Sequence, residues 1–171
     1  MAVKIEITVR DAASKELADI DKRAHNLTPA WQQVGALMLR SVQKNFAAQG
    51  RPTRWLPLSL STLGILARKV KRGGKGQTRA HARHSRLTNK QILIDTVHLK
   101  NSINYQAIAN GVEVGTNTVY GLIHQMGGMA GRGRKVRIPA RPYLVVQDED
   151  VPRVEQILGD YVVKGQASSG E

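Results

Sequence analysis

Alternating apolar and polar residues predict strands in three regions of the chain. Val3 to Val9 alternates without a break, which is typical of a strand with one face on a hydrophobic core. Apolar residues also alternate on both sides of Asn110-Gly111, a dipeptide that favours the type I′ turn of a β-hairpin. The alternation in Arg134–Ile138 predicts a third strand.

Apolar residues spaced three and four apart predict two helices in the first third of the chain. The first covers Ala12 to His25. The second runs from Thr28 to about Ala48, with Thr28 as N-cap and Pro29 at the first helical position. Its apolar stripe predicts a helix that packs on the core and consists of Trp31, Val34, Met38, Val42 and Phe46.

Two shorter helices are predicted in the middle of the chain. The stretch Ile92–Ile103 contains apolar residues four apart, which predicts a helix capped by the side chain of Asp95 or Thr96. Tyr120–Met126 has apolar spacings of three and four, and Gly127-Gly128 would end this helix.

Proline and glycine shape the remaining segments. Pro57 predicts that Trp55–Leu60 is extended, and Gly127–Gly133 predicts a flexible loop. Two prolines make Pro139–Leu144 a stiff, extended segment, suited to running along a neighbour. Asp148-Glu149-Asp150 begins the last helix, because acidic residues suit the positive end of a helix dipole.

These elements predict an α+β fold with a single domain over residues 1–165 and a polar tail over 166–171. A small, mostly antiparallel sheet from Val3–Val9, the hairpin and Arg134–Ile138 would pack on the long helix and the last helix. The chain has no cysteine, which excludes disulfides and thiolate metal sites. No apolar run is long enough to span a membrane.

Charge is distributed unevenly along the chain, whose formal net charge is +13. No acidic residue occurs between Asp21 and Asp95, and most acids lie near the two ends. Residues 68–86 are rich in Gly, Arg, Lys and His, and this composition predicts a long, basic, mobile loop. Its cations are Arg68, Lys69, Lys71, Arg72, Lys75, Arg79, Arg83 and Arg86. This asymmetry indicates contact with a polyanion or with an acidic protein surface.

Candidate chemistry is sparse. His81 and His84 lie among cations, without cysteine or a nearby carboxylate, which opposes a divalent metal site. His124 has no acid or nucleophile at a motif spacing, so His124 and Gln125 are interpreted as a buried polar pair that holds its helix by hydrogen bonds. Trp55 and Arg141 are interpreted as packing and ion-pair residues. We expect no cofactor and no metal.

The basic loop has two interpretations that the sequence leaves open. It is either a solvated charge run or a surface whose cations neutralise nucleic-acid phosphates. No aromatic residue occurs within it, so base stacking is not supported.

Five motifs, taken in order, resemble the phage virion morphogenesis family of tailed, Mu-like bacteriophages, whose members complete tails and join them to heads. Roughly residues 1–160 follow the family's order. Val97 departs from it, because a glycine usually follows the Asp-Thr pair, and Gly121 stands where alanine is common. The motifs are Trp55-Leu56-Pro57-Leu58-Ser59, Leu93-Ile94-Asp95-Thr96, Gly115-Thr116, Tyr120-Gly121-Leu122-Ile123-His124-Gln125-Met126-Gly127 and Ile138-Pro139-Ala140-Arg141-Pro142-Tyr143-Leu144.

The resemblance implies a structural neck component that forms a ring around the DNA channel, a hexamer in the first place and a dodecamer as the alternative. Its implied partners are neighbouring neck, connector or tail-tube proteins and packaged DNA, without a membrane. It also implies structural roles for Trp55, Asp95, Thr96, Gly115, Thr116, Tyr120, His124, Gln125, Gly127, Pro139, Arg141 and Pro142.

Two other function classes compete with this hypothesis. A nucleic-acid-binding module that uses the basic loop would bind DNA with an affinity that falls steeply with salt. A hydrolase that uses His124 is disfavoured, because Asp95 and Glu113 are the only acids in the middle of the chain and metal-dependent nucleases need several.

Overall fold

The computed structural model describes residues 12–60, 62–64 and 90–165, and there it confirms the predicted α+β class. The strand predicted at Val3–Val9, the basic loop of residues 68–86, His81, His84 and the tail of residues 166–171 lie outside the described residues. No helix in the described ranges is long and apolar enough to cross a membrane. The described helices and strands are α1 (Ala12–Ala24), α2 (Thr28–Ala48), α3 (His98–Asn101), β1 (Ile103–Ile108), β2 (Gly111–Thr116), α4 (Gly121–Met126), β3 (Gly128–Ala130), β4 (Val136–Ile138) and α5 (Val151–Lys164).

Helix α2 carries the core of the fold. Its predicted stripe faces inward, and only Trp31 of the five apolar residues stays partly exposed. The predicted Thr28 cap is wrong, because helix α2 already includes Thr28 and Leu27 occupies the cap position without a side-chain bond. The backbone N–H of Thr28 donates instead to Oδ1 of Asn26, at 3.3 Å. The residue that caps this end therefore lies two positions before the predicted one.

Strands β1 and β2 form the predicted antiparallel hairpin and pack on α2. Ile108 pairs with Gly111, so the turn consists of Ala109 and Asn110. Neither turn residue has a positive φ, so the predicted type I′ turn at Asn110-Gly111 is wrong. The register places Tyr105 opposite Val114. The ring of Tyr105 lies against Gly35 of α2, and this contact sets the pairing more strongly than the local turn preference does.

The helix predicted to follow Asp95-Thr96 and to carry both Leu99 and Ile103 is shorter than expected. Helix α3 covers one turn, and Ile103 is the first residue of β1. Leu99 and Ile103 are both buried, but they reach the core from a helix and from a strand. Val97 occupies the cap position with a φ of 59°, and no side chain caps the helix. The predicted capping role of Asp95 or Thr96 is therefore wrong.

Strands β3 and β4 form a second two-stranded antiparallel sheet. The predicted strand at Arg134–Ile138 exists as β4, but its partner is β3 and not the first hairpin. The loop predicted at Gly127–Gly133 is wrong in part, because it contains β3 and the start of a 3₁₀ turn at Arg132–Arg134. Glycines with positive φ, among them Gly127 and Gly131, let the chain turn this tightly.

An aromatic cluster closes the core under α2. The ring of Phe46 lies 5.5 Å from Trp55 in an edge-on arrangement and 5.6 Å from Tyr143. Val42, Leu99 and Ile103 belong to the same cluster. Trp55 and Tyr143 come from the two extended, proline-containing segments, so this core joins parts of the chain that lie far apart in sequence.

Helix α5 begins one residue after the acidic triplet that predicted it, with Asp150 at its cap position. It packs on both α2 and α1. The hydroxyl of Tyr161 donates to the backbone oxygen of Asn26, at 3.1 Å, which ties the end of α5 to the link between α1 and α2.

Candidate functional site

The segment Pro139–Leu144 packs against the core and is held there by side chains from the Trp55 motif and from α2. The indole N–H of Trp55 donates to the backbone oxygen of Pro142, at 2.9 Å. The side-chain amide of Asn45 donates to the oxygen of Tyr143, also at 2.9 Å. The neighbour along which this stiff segment runs is therefore the chain itself.

Gln125 holds the same segment from α4. Its Oε1 accepts the backbone N–H groups of Tyr143 and Leu144, at 2.9 and 3.0 Å. Its Nε2 donates to the oxygen of Leu144, at 3.0 Å. These are bonds of the kind expected for a buried polar residue that holds its helix.

Arg141 is 6 % exposed and points its guanidinium at two backbone oxygens. Nε donates to Leu56, at 3.1 Å, and Nη2 donates to Pro57, at 3.2 Å. No described carboxylate pairs with it, so the predicted ion pair is wrong. Burial lowers the pKa of Arg141, because the charged form loses its hydration. The two oxygens fix the Trp55–Pro57 segment against Pro139–Leu144.

His124 differs from Gln125, although both were predicted to make hydrogen bonds. Its Nδ1 is buried and has no hydrogen-bond partner among the described residues. The ring packs edge-on against Tyr120, with centroids 6.0 Å apart. Burial lowers the pKa of His124, and the nearby charge of Arg141 lowers it further. The ring is therefore neutral at pH 7 and serves as a packing group.

These motifs form the walls of an open groove of about 640 Å³, which we call the motif groove. The charged residues of its lining are mainly basic, namely Lys90, Arg137 and Arg141, and Asp95 is the only acid among the described residues that line it. Asp95 is bonded to Lys90. Its remaining lining includes Leu58, Ile94, Thr96, Tyr120 and Pro139.

The other predicted structural residues fall into two groups. Thr96 is exposed and makes no cap, and Gly115 lies in β2 with open space where a side chain would stand. Thr116 and Gly127 have clear local roles. The hydroxyl of Thr116 contacts that of Ser102, at 2.6 Å, and closes the end of the hairpin. Gly127 has a φ of 74°, and a Cβ there would lie 2.8 Å from the backbone nitrogen of Ala140.

A buried polar network under α2 was not predicted from the sequence. The hydroxyl of Ser41 donates to the carboxylate of Asp150, at 2.5 Å. Arg51 donates to the side-chain oxygen of Asn45, at 2.9 Å, and pairs with Glu149, at 2.6 Å. The available signal was that Ser41 and Asn45 interrupt the apolar stripe of α2, where polar groups need partners.

The motif groove offers little for catalysis. In the described ranges, no three His, Cys, Asp or Glu side chains lie close enough together to hold a metal ion. The side chains of Trp55, Gln125 and Arg141 are used to hold one backbone stretch against another. The geometry therefore supports a structural role for these motifs, and the eight cations of the basic loop lie outside the described residues.

The comparisons with known proteins that found a match agree on one family. The model of the phage virion morphogenesis family matches residues 8–163. The chain is 31% identical over 159 residues to the Mu-like prophage FluMu G protein 2 of Haemophilus influenzae, a match that covers 93% of this chain and 95% of that protein. No solved structure matches the chain significantly.

Proposed function

The chain belongs to the phage virion morphogenesis family, and from this we propose that it completes the tail of a tailed bacteriophage and joins it to the head. Membership makes it a virion morphogenesis protein with a structural role. We propose that it acts as a ring around the DNA channel. A hexamer fits best because tails have six-fold symmetry, and a dodecamer is the alternative.

The observation that carries this proposal is the apolar surface that α4 and the second sheet leave uncovered. Leu122 and Met126 lie four apart on the outer face of α4 and are 72% and 71% exposed. Met129 and Val136, on the adjoining strands, are exposed as well. Large exposed apolar side chains mark surfaces that other proteins cover. An assembly protein needs such surfaces, whereas a free-standing binding module does not.

We propose that the protein has no catalytic role. His124 is the one imidazole in the motif groove that the resemblance singled out, and it is neutral and packed against Tyr120. Arg141 is held by backbone oxygens and is not free to stabilise a reacting group. We expect the protein to assemble in the host cytoplasm and to lie in the neck, against connector or tail-tube proteins.

Mass measurement in solution tests the proposal. The purified protein is measured alone and again with the tail-tube and portal-side proteins added. We expect a six-fold or twelve-fold ring to form in at least one of these conditions. A phage that lacks the protein should yield separate heads and tails in electron micrographs. If heads and tails join normally in the absence of the protein, the proposed function is wrong.

A nucleic-acid-binding module is the second candidate, because the chain carries a net charge of +13 and its cations are concentrated. Neutralised phosphates release counterions, so affinity for duplex DNA should then fall steeply as salt rises. A monomer that binds duplex DNA at low salt and ignores both partner proteins would favour this candidate over the ring.

A further inference from the structure

The second sheet projects a basic and apolar tip. We call residues 128–138 the basic hairpin. No acidic residue occurs between Glu113 and Asp148, so the tip carries uncompensated positive charge. Met129 and Val136 are exposed on the same hairpin. Its four cations are all exposed, and none forms an ion pair with a described residue: Arg132, Arg134, Lys135 and Arg137.

A separate cleft of about 420 Å³ opens between α2, β2, residues 144–146 and the start of α5. We call it the apolar cleft. Its only charged lining residue among those described is Glu155. Val146 and Val151, at its mouth, are substantially exposed. The other lining residues are Val34, Met38, Val42, Val112, Val114, Leu144, Val145 and Val154.

The mouth of the apolar cleft is acidic. Glu155 lines it, and Asp148 is exposed shortly before α5. Glu149 is exposed as well, but it pairs with Arg51, which compensates its charge. Asp150 is buried and bonded to Ser41, so it does not contribute to the surface charge. Arg153 is the only cation in residues 148–155. The cleft thus combines an apolar floor with a negative rim, which is the complement of the basic hairpin.

We propose that the basic hairpin of one copy docks into the apolar cleft of the next copy. Met129 on one face of the hairpin and Val136 on the other meet the apolar lining. Arg132, Arg134 and Lys135, at the tip, face the acidic rim. The two surfaces are different, so the contact is heterologous and repeats around an axis until it closes as a ring. This inference rests on the proposed ring and names the two surfaces that form it.

Two other occupants fit less well. The phosphates of duplex DNA would neutralise the cations of the hairpin. DNA offers no apolar surface to Met129 and Val136, however, and the acidic rim of the cleft would repel it. Residues 3–9 of the same chain could match the apolar lining. They carry no net charge, because Lys4 and Glu6 cancel, so they leave the acidic rim unmatched.

Two variants test the proposal, and each disrupts one of the two surfaces that form the contact. Arg132→Glu with Arg134→Glu inactivates the hairpin, and Val146→Lys with Glu155→Lys inactivates the cleft. All four positions are exposed, so folding should survive, which circular dichroism checks. Under the conditions in which the wild type forms rings, each variant alone should be monomeric. An equal mixture should give a heterodimer and nothing larger, because one intact contact remains.

A charge-matched control uses Lys15→Glu with Lys22→Glu, which reverses two exposed cations on α1. This variant should still form rings. If the hairpin variant also forms rings, the docking inference is wrong while the proposed ring stands. If the wild type forms no ring alone or with its partner proteins, both are wrong. If the hairpin variant still forms rings but no longer binds DNA, the hairpin contacts DNA and not a neighbouring copy.

Crosslinking gives a direct readout, because the chain has no native cysteine. Lys135→Cys combined with Val146→Cys, treated with a short thiol crosslinker, should give a ladder of covalent multimers. The same treatment of Lys15→Cys with Val146→Cys should leave single chains. Efficient crosslinking within one chain of Ile5→Cys with Val146→Cys would overturn the proposal, because the N-terminal residues would then fill the cleft.

Discussion

The side-chain amide of Gln125 binds the backbone of Leu144 through both of its polar atoms, donating to the oxygen and accepting from the N–H. The same Oε1 also accepts the N–H of Tyr143. One side chain from α4 thereby satisfies three backbone groups of an extended segment that has no strand partner among the described elements. This replaces the hydrogen bonds that a sheet would supply.

Replacing Gln125 with methionine should therefore destabilise the protein markedly. Methionine keeps the length of the side chain, but it leaves three backbone groups without partners. Partly buried groups of this kind cost on the order of 1 kcal/mol each, so the free energy of unfolding should fall by about 3 kcal/mol. Urea denaturation measures the change. Gln156→Met, at an exposed position of α5, is the control and should change it by less than about 0.5 kcal/mol.

His124 should make stability depend on pH. In the folded chain the pKa of His124 lies below 6.5, because burial and Arg141 disfavour the charged ring. The unfolded chain then binds more protons just below pH 6.5, so the free energy of unfolding should fall as pH drops through that value. His124→Phe keeps the ring packing and should flatten this dependence. Equal slopes for the two proteins would contradict the assignment.

The positive charge of Arg141 should also lower the pKa of His124. Arg141→Met removes the nearby positive charge, so the pKa of His124 should rise, but it should stay below 6.5, because burial is the larger cause. Titration followed by NMR of the ring protons measures this directly. A pKa that does not move would mean that burial acts alone.

Two helical glycines form a matched pair for testing packing. A Cβ at Gly35 would overlap the ring of Tyr105, whereas a Cβ at Gly159 meets nothing within 4 Å. Gly35→Ala should lower the free energy of unfolding by about 2 kcal/mol, because overpacking separates α2 from β1. Gly159→Ala should raise it by about 1 kcal/mol through helix propensity. Adding Tyr105→Leu should recover part of the loss at Gly35.

Val97 should be more stable as glycine. It holds a φ of 59°, which is unfavourable for a β-branched residue, and strain of this kind costs about 1–3 kcal/mol. Glycine adds freedom to the unfolded chain, which offsets part of the relief. We expect Val97→Gly to raise the free energy of unfolding by about 1 kcal/mol. Val119→Gly, at an exposed position without positive φ, should lower it instead.

The departure noted at Val97 shows what local sequence can reveal. The family usually has glycine after the Asp-Thr pair, and the structure has a left-handed residue at this position. Periodicity likewise located α2, the hairpin and α5. In α2 the repeating apolar residues form a buried face. It failed for Ile92–Ile103, where Leu99 and Ile103 reach one core from two different elements.

The partners of the polar site residues could not be found in the same way. Arg141 binds the oxygens of Leu56 and Pro57, which lie 85 and 84 residues earlier in the chain. Backbone oxygens carry no sequence signature, so an ion pair seemed the natural expectation for a buried arginine. The pairing of β4 with β3 was hidden for a similar reason, because three glycine-flanked residues show no strand periodicity.

The network under α2 also bears on how the chain is made. Ser41 bonds with Asp150, 109 residues later, and Phe46 packs against Tyr143. A ribosome that adds roughly 5–20 residues per second needs about 5–20 s to cover that distance. During this interval α2 lacks the groups that complete its core, and prematurely terminated products lack them permanently. Only chains that extend at least to Asp150 can therefore enter assembly with this core complete.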